Sequence, residues 1–147
     1  MQPVNISIVI NTYNRAAWLA TALESLRFLD YPAFEIVVVN GPSDDETGNV
    51  LKNFHGSIKV AHCPEANLSV SRNIGIRHAA GEVVAFMDDD AIPDPRWLSA
   101  LRRAYQDPQV GGAGDQVALI NVVRLHAAHE ELLHLRLHHR HIVVHML

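Results

Sequence analysis

The sequence has little cysteine, no excess of positive charge and no long apolar segment. Cys63 is the only cysteine among 147 residues, which excludes an internal disulfide framework and is typical of a reducing compartment. No signal peptide is recognisable, and no apolar run reaches the roughly 18 residues of a membrane span. We therefore expect a protein of the cytoplasm without a transmembrane segment.

The charge balance also excludes a class of partner. The formal net charge is −4, so we expect no general nucleic-acid binding, and any anionic ligand must be held by local groups. With 48% hydrophobic residues the chain has the composition of a globular protein, and its length suits one ordinary core.

Short apolar runs alternate with amphipathic stretches along most of the chain. Strands are predicted at 6–10, 34–39, 58–62 and 83–87, and helices at 16–28, 47–54, 67–80 and from Pro95 to before Pro108. Gly81 is expected to end the third helix, and 110–114 to be either a short strand or a close backbone approach to a ligand. This alternation predicts an α/β fold, a Rossmann-like and mostly parallel sheet flanked by helices.

Three adjacent carboxylates follow the apolar run Val83 to Met87. Asp88, Asp89 and Asp90 would repel one another unless they are solvated or share a cation, and a hard divalent ion such as Mg²⁺ or Mn²⁺ suits their oxygens. An exposed acidic turn is the alternative interpretation of these three residues alone.

Polar clusters follow three of the predicted strands, at 11–15, 40–45 and 88–90. In a parallel sheet these clusters share the carboxyl edge, where nucleotide sites are built. The sequence nevertheless lacks the G-x-G-x-x-G fingerprint after the first strand and has no Walker A lysine. A bound diphosphate would therefore depend on a metal and on scattered side chains.

Four blocks of sequence together resemble glycosyltransferase family 2, in the order and spacing typical of that family. They are ISIVINTYNR at 6–15, EIVVVNGPSDDET at 35–47, NLSVSRNIG at 67–75, and the Asp88-Asp89-Asp90 strand end with Pro93. The resemblance covers roughly residues 4–114, and each block alone would be a weak signal. It implies a GT-A fold that binds a nucleoside diphosphate sugar with Mg²⁺ or Mn²⁺ and transfers the sugar with inversion.

The same resemblance implies roles for individual residues. Thr12 and Tyr13 would line the nucleoside pocket with Tyr13 near the base, Arg72 would reach the uracil or the diphosphate with support from Asn73, and Asp88 would contact the ribose. Asp90, together with Asp88, would coordinate the metal. The full set expected to bind the sugar donor is Thr12, Tyr13, Asn14, Asn40, Arg72, Asp88 and Asp89. A cap at the second helix is expected from Ser43, Asp44 or Asp45.

Two departures from the family pattern limit these expectations. Asn40 and Gly41 stand where many relatives carry aspartates, which leaves the base open although a UDP-sugar is the preferred donor. No catalytic base is identified, since the only carboxylates after Asp115 are Glu130 and Glu131 and their surroundings lack the family motif.

The carboxyl-terminal part differs in composition from the rest. We expect an incomplete sugar-donor-binding domain at 1–115 and a partly helical, His-rich tail at 116–147, which holds seven of the ten histidines. A truncated or altered second half would explain this shift and would favour self-association through uncovered apolar surface.

Three functional hypotheses remain. The chain is an inverting glycosyltransferase acting on an unknown saccharide or other hydroxyl acceptor, or a sugar-donor-binding module or remnant without turnover, or a domain whose acids and Arg72 only decorate the surface. A position in the cytoplasm or peripheral to the inner face of a membrane suits the first two.

Overall fold

The computed structural model describes residues 4–106, 112–114 and 121–124, which form one sheet with helices on both of its faces. The strands lie in the order β3-β2-β1-β4-β6-β5. Their bounds are Ile6–Thr12 (β1), Phe34–Asn40 (β2), Lys59–His62 (β3), Val83–Asp88 (β4), Gly112–Gly114 (β5) and Asn121–Arg124 (β6). The helices are Ala16–Ser25 (α1), Thr47–Asn53 (α2), Leu68–His78 (α3) and Trp97–Ala104 (α4), and a 3₁₀ turn, Leu26–Phe28, extends α1.

The first four strands are parallel, as the alternation of strands and helices predicts. Side chains of β1 alternate between the two faces: Ile6, Ile8 and Ile10 pack with α1, α2 and α4, whereas Val9 packs with α3. All four are fully buried. The predicted α/β class is therefore confirmed, and a sheet buried on both faces explains the continuous apolar runs.

Helix α3 packs on the sheet through the face that the sequence predicts, which is Leu68 or Val70, Ile74 and Ala79. Ile74 and Ala79 are buried and Val70 packs against the same cluster, whereas Leu68 is 55% exposed. Of the two alternatives at the start of the helix, Val70 is therefore confirmed.

Gly75 sets how closely α3 approaches β1. It is buried, and a Cβ atom on it would stand 2.4 Å from Cγ1 of Val9.

Gly81 also has a different role from the predicted helix stop. Helix α3 ends at His78, and Gly81 does not have a positive φ. Its N–H donates to Oγ of Ser7 at 2.8 Å, and a Cβ atom there would lie 2.7 Å from the backbone nitrogen of Ser7. Gly81 is therefore required for a close approach between the start of β4 and β1.

Element boundaries differ from the expectations by a few residues. Strands β1 and β2 extend to Thr12 and Asn40, which pair with each other. Helix α4 begins at Trp97 instead of Pro95, after a turn in which the Asp94 carboxylate accepts from the N–H of Arg96.

Strands β5 and β6 extend the sheet beyond β4 in antiparallel pairings. Residues 112–114 are one of the two alternatives predicted for that segment, whereas β6 was not predicted. The remaining tail, including its histidines and the predicted helix, lies outside the described residues. Within the described ranges, no helix has the length and apolar character needed to span a bilayer.

Candidate functional site

The register of the parallel strands brings the predicted polar clusters together. Thr12 pairs with Asn40 across β1 and β2, and Asn11 pairs with Asp88 across β1 and β4. The loops that leave these three strands therefore start side by side at the carboxyl edge of the sheet.

Asp89 and Asp90 are held by side chains of the first strand and the loop after it. Oγ1 of Thr12 donates to Asp89 at 2.8 Å, and Nε of Arg15 contacts the other oxygen of Asp89 at 2.9 Å. A terminal nitrogen of Arg15 lies 2.6 Å from Asp90. Asp89 is buried, whereas the side chain of Asp90 is 46% exposed, so Asp90 is the carboxylate of this pair that solvent reaches.

The environment of the acids disfavours their charged forms. Burial raises the pKa of Asp88, the charge of Asp90 raises it further, and the Arg72 guanidinium opposes both effects. Burial also raises the pKa of Asp89, with opposition from the Thr12 hydroxyl and from Arg15. An additional cation at this edge would therefore interact favourably with charges that the fold has only partly neutralised.

Arg72 reaches the acids from α3. Its guanidinium lies 5.7 Å from the centroid of the Phe86 ring, and its Nε is buried without a hydrogen-bond partner among the described residues. Phe86 and Asp88 both belong to β4, so Arg72 is anchored over the strand that delivers the acids. A buried N–H without a partner is unusual, and an oxygen acceptor from a bound ligand would satisfy it.

Asn14 and Asn40 connect two loops through Ser43. The Ser43 hydroxyl accepts from the N–H of Asn14 at 2.9 Å and donates to the side-chain oxygen of Asn40 at 2.7 Å. The Asn14 side chain in turn accepts from the N–H of Asp44 at 2.8 Å, and Asn14 itself has φ of 53°. Both asparagines thus brace the loops, and their predicted direct contact with a ligand stays a prediction.

Asp45 fixes the starts of two helices. Its carboxylate accepts from the N–H of Thr47, the first residue of α2, at 2.9 Å, and from the N–H of Ala16, the first residue of α1, at 3.1 Å. The side chain of Thr47 is the main cause of a lowered pKa for Asp45, and the N–H groups of Thr47 and Ala16 lower it further. Of the three cap candidates at α2, Asp45 is the one that the structure supports.

A cavity of about 290 Å³ opens between these loops and the start of α3. Its wall combines an aromatic ring with small, apolar and amide groups. The lining residues are Asn11, Thr12, Tyr13, Arg15, Gly41, Glu65, Ala66, Asn67, Leu68, Ser71 and Asp89. A Cβ atom on Gly41 would lie 3.2 Å from Cβ of Tyr13. The absence of a side chain at Gly41 therefore leaves room for the Tyr13 side chain beside the end of β2.

The sequence identified only part of this site. Thr12, Tyr13 and Asp89 line the cavity, and Arg72 and Asp88 form a neighbouring group. Arg15 was missed as a site residue, because its partner Asp90 lies 75 positions away in the sequence. Ser71 was missed as well; it lines the cavity and donates to Asn11 at 2.6 Å, a contact between residues 60 positions apart.

The donor chemistry fits a hard cation that is completed by a ligand. Asp88 and Asp90 offer only oxygen, and Mg²⁺ is usually held by one or two carboxylates together with substrate phosphates. Within the described residues, no three acidic, histidine or cysteine side chains converge on a common metal position. The residues therefore suit a cation that arrives with a diphosphate better than one that resides alone.

A parallel α/β sheet with a cavity and acids at its carboxyl edge defines a nucleotide-binding class of domain, and its fold is of the GT-A type. Comparison with known proteins identifies the family. A profile of Glycosyl transferase family 2 matches residues 7–143, so the chain belongs to that family.

Curated relatives are identical to this chain at about a third of the aligned residues. The putative glycosyltransferase EpsH of Bacillus subtilis is 30% identical over 82% of this chain and 33% of its own length. Glucosyl-dolichyl phosphate glucuronosyltransferase of Haloferax volcanii is 32% identical over 71% of this chain and 35% of its own length. The chain thus spans about a third of the length of these relatives.

Two solved structures show the same fold. A mannosyltransferase of Pyrobaculum calidifontis, in complex with GDP-Man and Mn²⁺, matches 94% of this chain and 48% of its own with a TM-score of 0.74 at 22% identity. S. aureus TarS 1-349, in complex with UDP-GlcNAc, matches 69% of this chain and 31% of its own with a TM-score of 0.64 at 27% identity.

Proposed function

We propose that this domain binds a nucleoside diphosphate sugar together with Mg²⁺ or Mn²⁺, as the sugar-donor half of an inverting glycosyltransferase. The observation that carries the proposal is the connection of the Tyr13 cavity to the acids through Thr12, Asp89 and Arg15. A partly apolar cavity lined by an aromatic ring suits a nucleoside, and the acids beside it suit the cation of its diphosphate.

Tyr13 and Leu68 are the groups we assign to the base. Both are exposed at the cavity wall, by 45% and 55%, and offer apolar surface without a competing partner in the core. Uracil is the preferred base because TarS, a neighbour at 27% identity, was solved in complex with UDP-GlcNAc. Neither Asn40 nor Gly41 offers a carboxylate to the base, so GDP is the competitor to test.

The metal is assigned to Asp90 with Asp88, and the diphosphate to the metal and Arg72. When bound, a divalent cation supplies Lewis-acid stabilisation of the charge that develops on the leaving diphosphate. Asp90 is accessible for such binding, and Asp88 carries a charge that its surroundings disfavour. Arg72 contributes a fixed fork suited to phosphate oxygens, and its Nε lacks a partner among the described residues.

Titration calorimetry tests this proposal. UDP is expected to bind in the presence of Mn²⁺ and to lose most of its affinity without the metal, and GDP is expected to bind more weakly. Asp90→Ala should abolish the metal dependence. The matched control is Asp30→Ala, an exposed aspartate that precedes β2 and therefore lies at the opposite end of the sheet. Unchanged metal dependence in Asp90→Ala would contradict the metal assignment.

A sugar-donor-binding module without turnover is the second candidate function. It is favoured by the absence of an assigned base for the acceptor proton, which inverting transfer needs. Hydrolysis of UDP-GlcNAc to UDP, followed by phosphatase-coupled detection, separates the two candidates. Release of UDP above the rate of Asp90→Ala supports the enzyme, and equal rates support the binding module. Self-association, the acceptor and the location in the cytoplasm or at a membrane stay predictions.

A further inference from the structure

The guanidinium of Arg15 contacts both Asp89 and Asp90, the two acids that follow β4. It contacts Asp89 through Nε at 2.9 Å and Asp90 through a terminal nitrogen at 2.6 Å. These are two separate carboxylates on two different residues, so the guanidinium bridges them instead of gripping one. Arg15 contacts one of the two oxygens of Asp90, so a divalent cation bound to Asp90 would share that carboxylate with the charge of the guanidinium.

We infer that Arg15 is a built-in counter-ion that holds Asp90 in the ligand-free domain and transfers to the diphosphate when a cation-bound nucleotide arrives. The inference rests on the proposed function and adds to it a residue that couples metal binding to nucleotide binding. Without a nucleotide, Arg15 competes with the metal for Asp90. With a nucleotide, Arg15 gains a better partner and leaves Asp90 to the cation.

The geometry allows Arg15 to make this exchange. Its side chain is 41% exposed and lines the cavity assigned to the nucleotide, so phosphate oxygens in that cavity lie within its reach. The fork of the guanidinium matches phosphate better than a pair of divergent carboxylates. Asp89 keeps the hydrogen bond from Thr12 when Arg15 departs.

This coupling has a signature that a purely structural ion pair does not produce. Removing the positive charge frees Asp90 and should strengthen binding of Mn²⁺ alone. The same change removes a phosphate partner and should weaken binding of UDP in the presence of saturating Mn²⁺. A residue that merely stabilises the loop would move both affinities in the same direction.

The experiment uses Arg15→Gln and Arg15→Lys in the full chain. Mn²⁺ binding is followed by the loss of the free-ion EPR signal, and UDP binding at saturating Mn²⁺ by calorimetry. For Arg15→Gln we expect Mn²⁺ alone to bind about fivefold tighter, as a partly exposed ion pair is lost. UDP with Mn²⁺ should bind about tenfold weaker, the size of a charge-assisted hydrogen bond. Arg15→Lys keeps the charge, so Mn²⁺ alone should bind to it as weakly as to the native chain. UDP with Mn²⁺ should regain only part of the affinity that is lost in Arg15→Gln.

Arg27→Gln is the matched control. Arg27 also pairs with a carboxylate, Glu24 at 3.3 Å, and lies 6.0 Å from the centroid of an aromatic ring, that of Phe54. It belongs to the 3₁₀ turn after α1 and not to the loops that carry the acids. Both affinities should be unchanged in this variant.

Trp18 provides an independent readout of the movement. Its ring is 59% exposed, and its centroid lies 5.9 Å from the guanidinium carbon of Arg15. Departure of the cation should change Trp18 fluorescence when UDP and Mn²⁺ are added together. The change should disappear in Trp18→Phe and in Arg15→Gln, and Mn²⁺ alone should produce little of it.

The results separate this inference from the proposed function. If UDP and Mn²⁺ bind to neither the native chain nor its variants, the proposed function fails. If both bind to the native chain and Arg15→Gln leaves the two affinities unchanged, or lowers both, the counter-ion role of Arg15 is overturned. Opposite changes in the two affinities, together with the Trp18 response, support it.

Discussion

Asp89 carries a charge that the fold has largely withdrawn from water. It is 7% exposed, and burial raises its pKa, while the hydroxyl of Thr12 and the charge of Arg15 lower it. Thr12 is itself buried, so solvent cannot replace its hydrogen bond. The pair connects β1 to the loop after β4 and holds Asp89 in place together with Arg15.

Thr12→Val should destabilise the domain by about 1–3 kcal/mol, because a buried acceptor then loses its partner without a change in side-chain shape. Urea unfolding at neutral pH measures the loss. Thr12→Ser keeps the hydroxyl and should retain most of the stability. Equal stability of the native chain and Thr12→Val would show that the bond between Thr12 and Asp89 contributes nothing.

The variant Asp88→Asn tests how much the charge of Asp88 lowers the stability of the domain, through the dependence of that stability on pH. The pKa of Asp88 is raised above the ordinary value of 3.8, so the native state binds more protons than the unfolded state between that value and the raised one. Stability contributed by this group therefore falls as pH rises through that window and stays reduced at neutral pH. Asp88→Asn should be more stable than the native chain at pH 7 and lose this advantage below about pH 3.8.

Urea unfolding of both proteins between pH 3 and pH 8 measures this difference. A constant difference across the range would contradict the raised pKa of Asp88. If the prediction holds, Asp88 is retained at a cost to stability, which is typical of residues that serve a ligand.

At the residue scale, local sequence predicted what lies at a strand end but not what contacts it. Thr12, Tyr13 and Asp89 follow from the ends of apolar runs. Arg15 and Ser43 have roles that depend on partners tens of residues away, as in the contact between Arg15 and Asp90. A sequence without an alignment carries no direct signal for such pairs.

At the scale of elements, helix α3 sets the depth of the site, because it carries Ser71 at the cavity and Arg72 at the acids. Its distance from the sheet depends on Gly75. The apolar pattern of α3 predicts Ile74 and Ala79 on its packed face, which is confirmed, but it gives no sign that Gly75 lies against Val9. Periodicity alone cannot show how closely a helix approaches a sheet, since packing on both sides decides that distance.

Gly75→Ala should destabilise the domain, although alanine favours helix over glycine. The added Cβ would lie 2.4 Å from Cγ1 of Val9 and 3.3 Å from Cγ2 of Val39, so α3 or both strands must shift. Overpacking of this kind costs about 1–3 kcal/mol. Gly48→Ala is the matched control in α2, where nothing lies within 4 Å of the added atom, and it should stabilise by up to about 1 kcal/mol.

Thermal and urea unfolding of the two glycine variants give the comparison. A stabilised Gly75→Ala would contradict the close packing of α3 on β1. UDP affinity of Gly75→Ala should also fall, because the same shift moves Ser71 and Arg72 away from their partners.

At the scale of the whole molecule, the parallel direction of the first four strands could be predicted from the sequence, whereas the order of the strands and the antiparallel edge were not predicted. Alternating strands and helices dictate parallel neighbours through right-handed crossovers. Strand β6 pairs with β4 in the opposite direction, from Val83 with Arg124 to Phe86 with Asn121. Four residues are too few for a periodic pattern to distinguish a strand from a loop. The structure of β6 therefore depends on its pairing with the edge of β4.

The assembled site predicts that ligands stabilise the whole domain and that they do so only together. At a hundredfold excess over the dissociation constant, UDP with Mn²⁺ should add about 2.7 kcal/mol to the free energy of unfolding. For a domain of this size that corresponds to a rise in Tm of roughly 5–10 °C, which differential scanning fluorimetry resolves. Mn²⁺ alone should add little, because Arg15 holds Asp90. UMP, which lacks the second phosphate, should also add little, and Asp90→Ala should remove the effect of Mn²⁺. An equal rise with UMP and UDP would place the binding energy in the nucleoside cavity and leave the acids without a role in it.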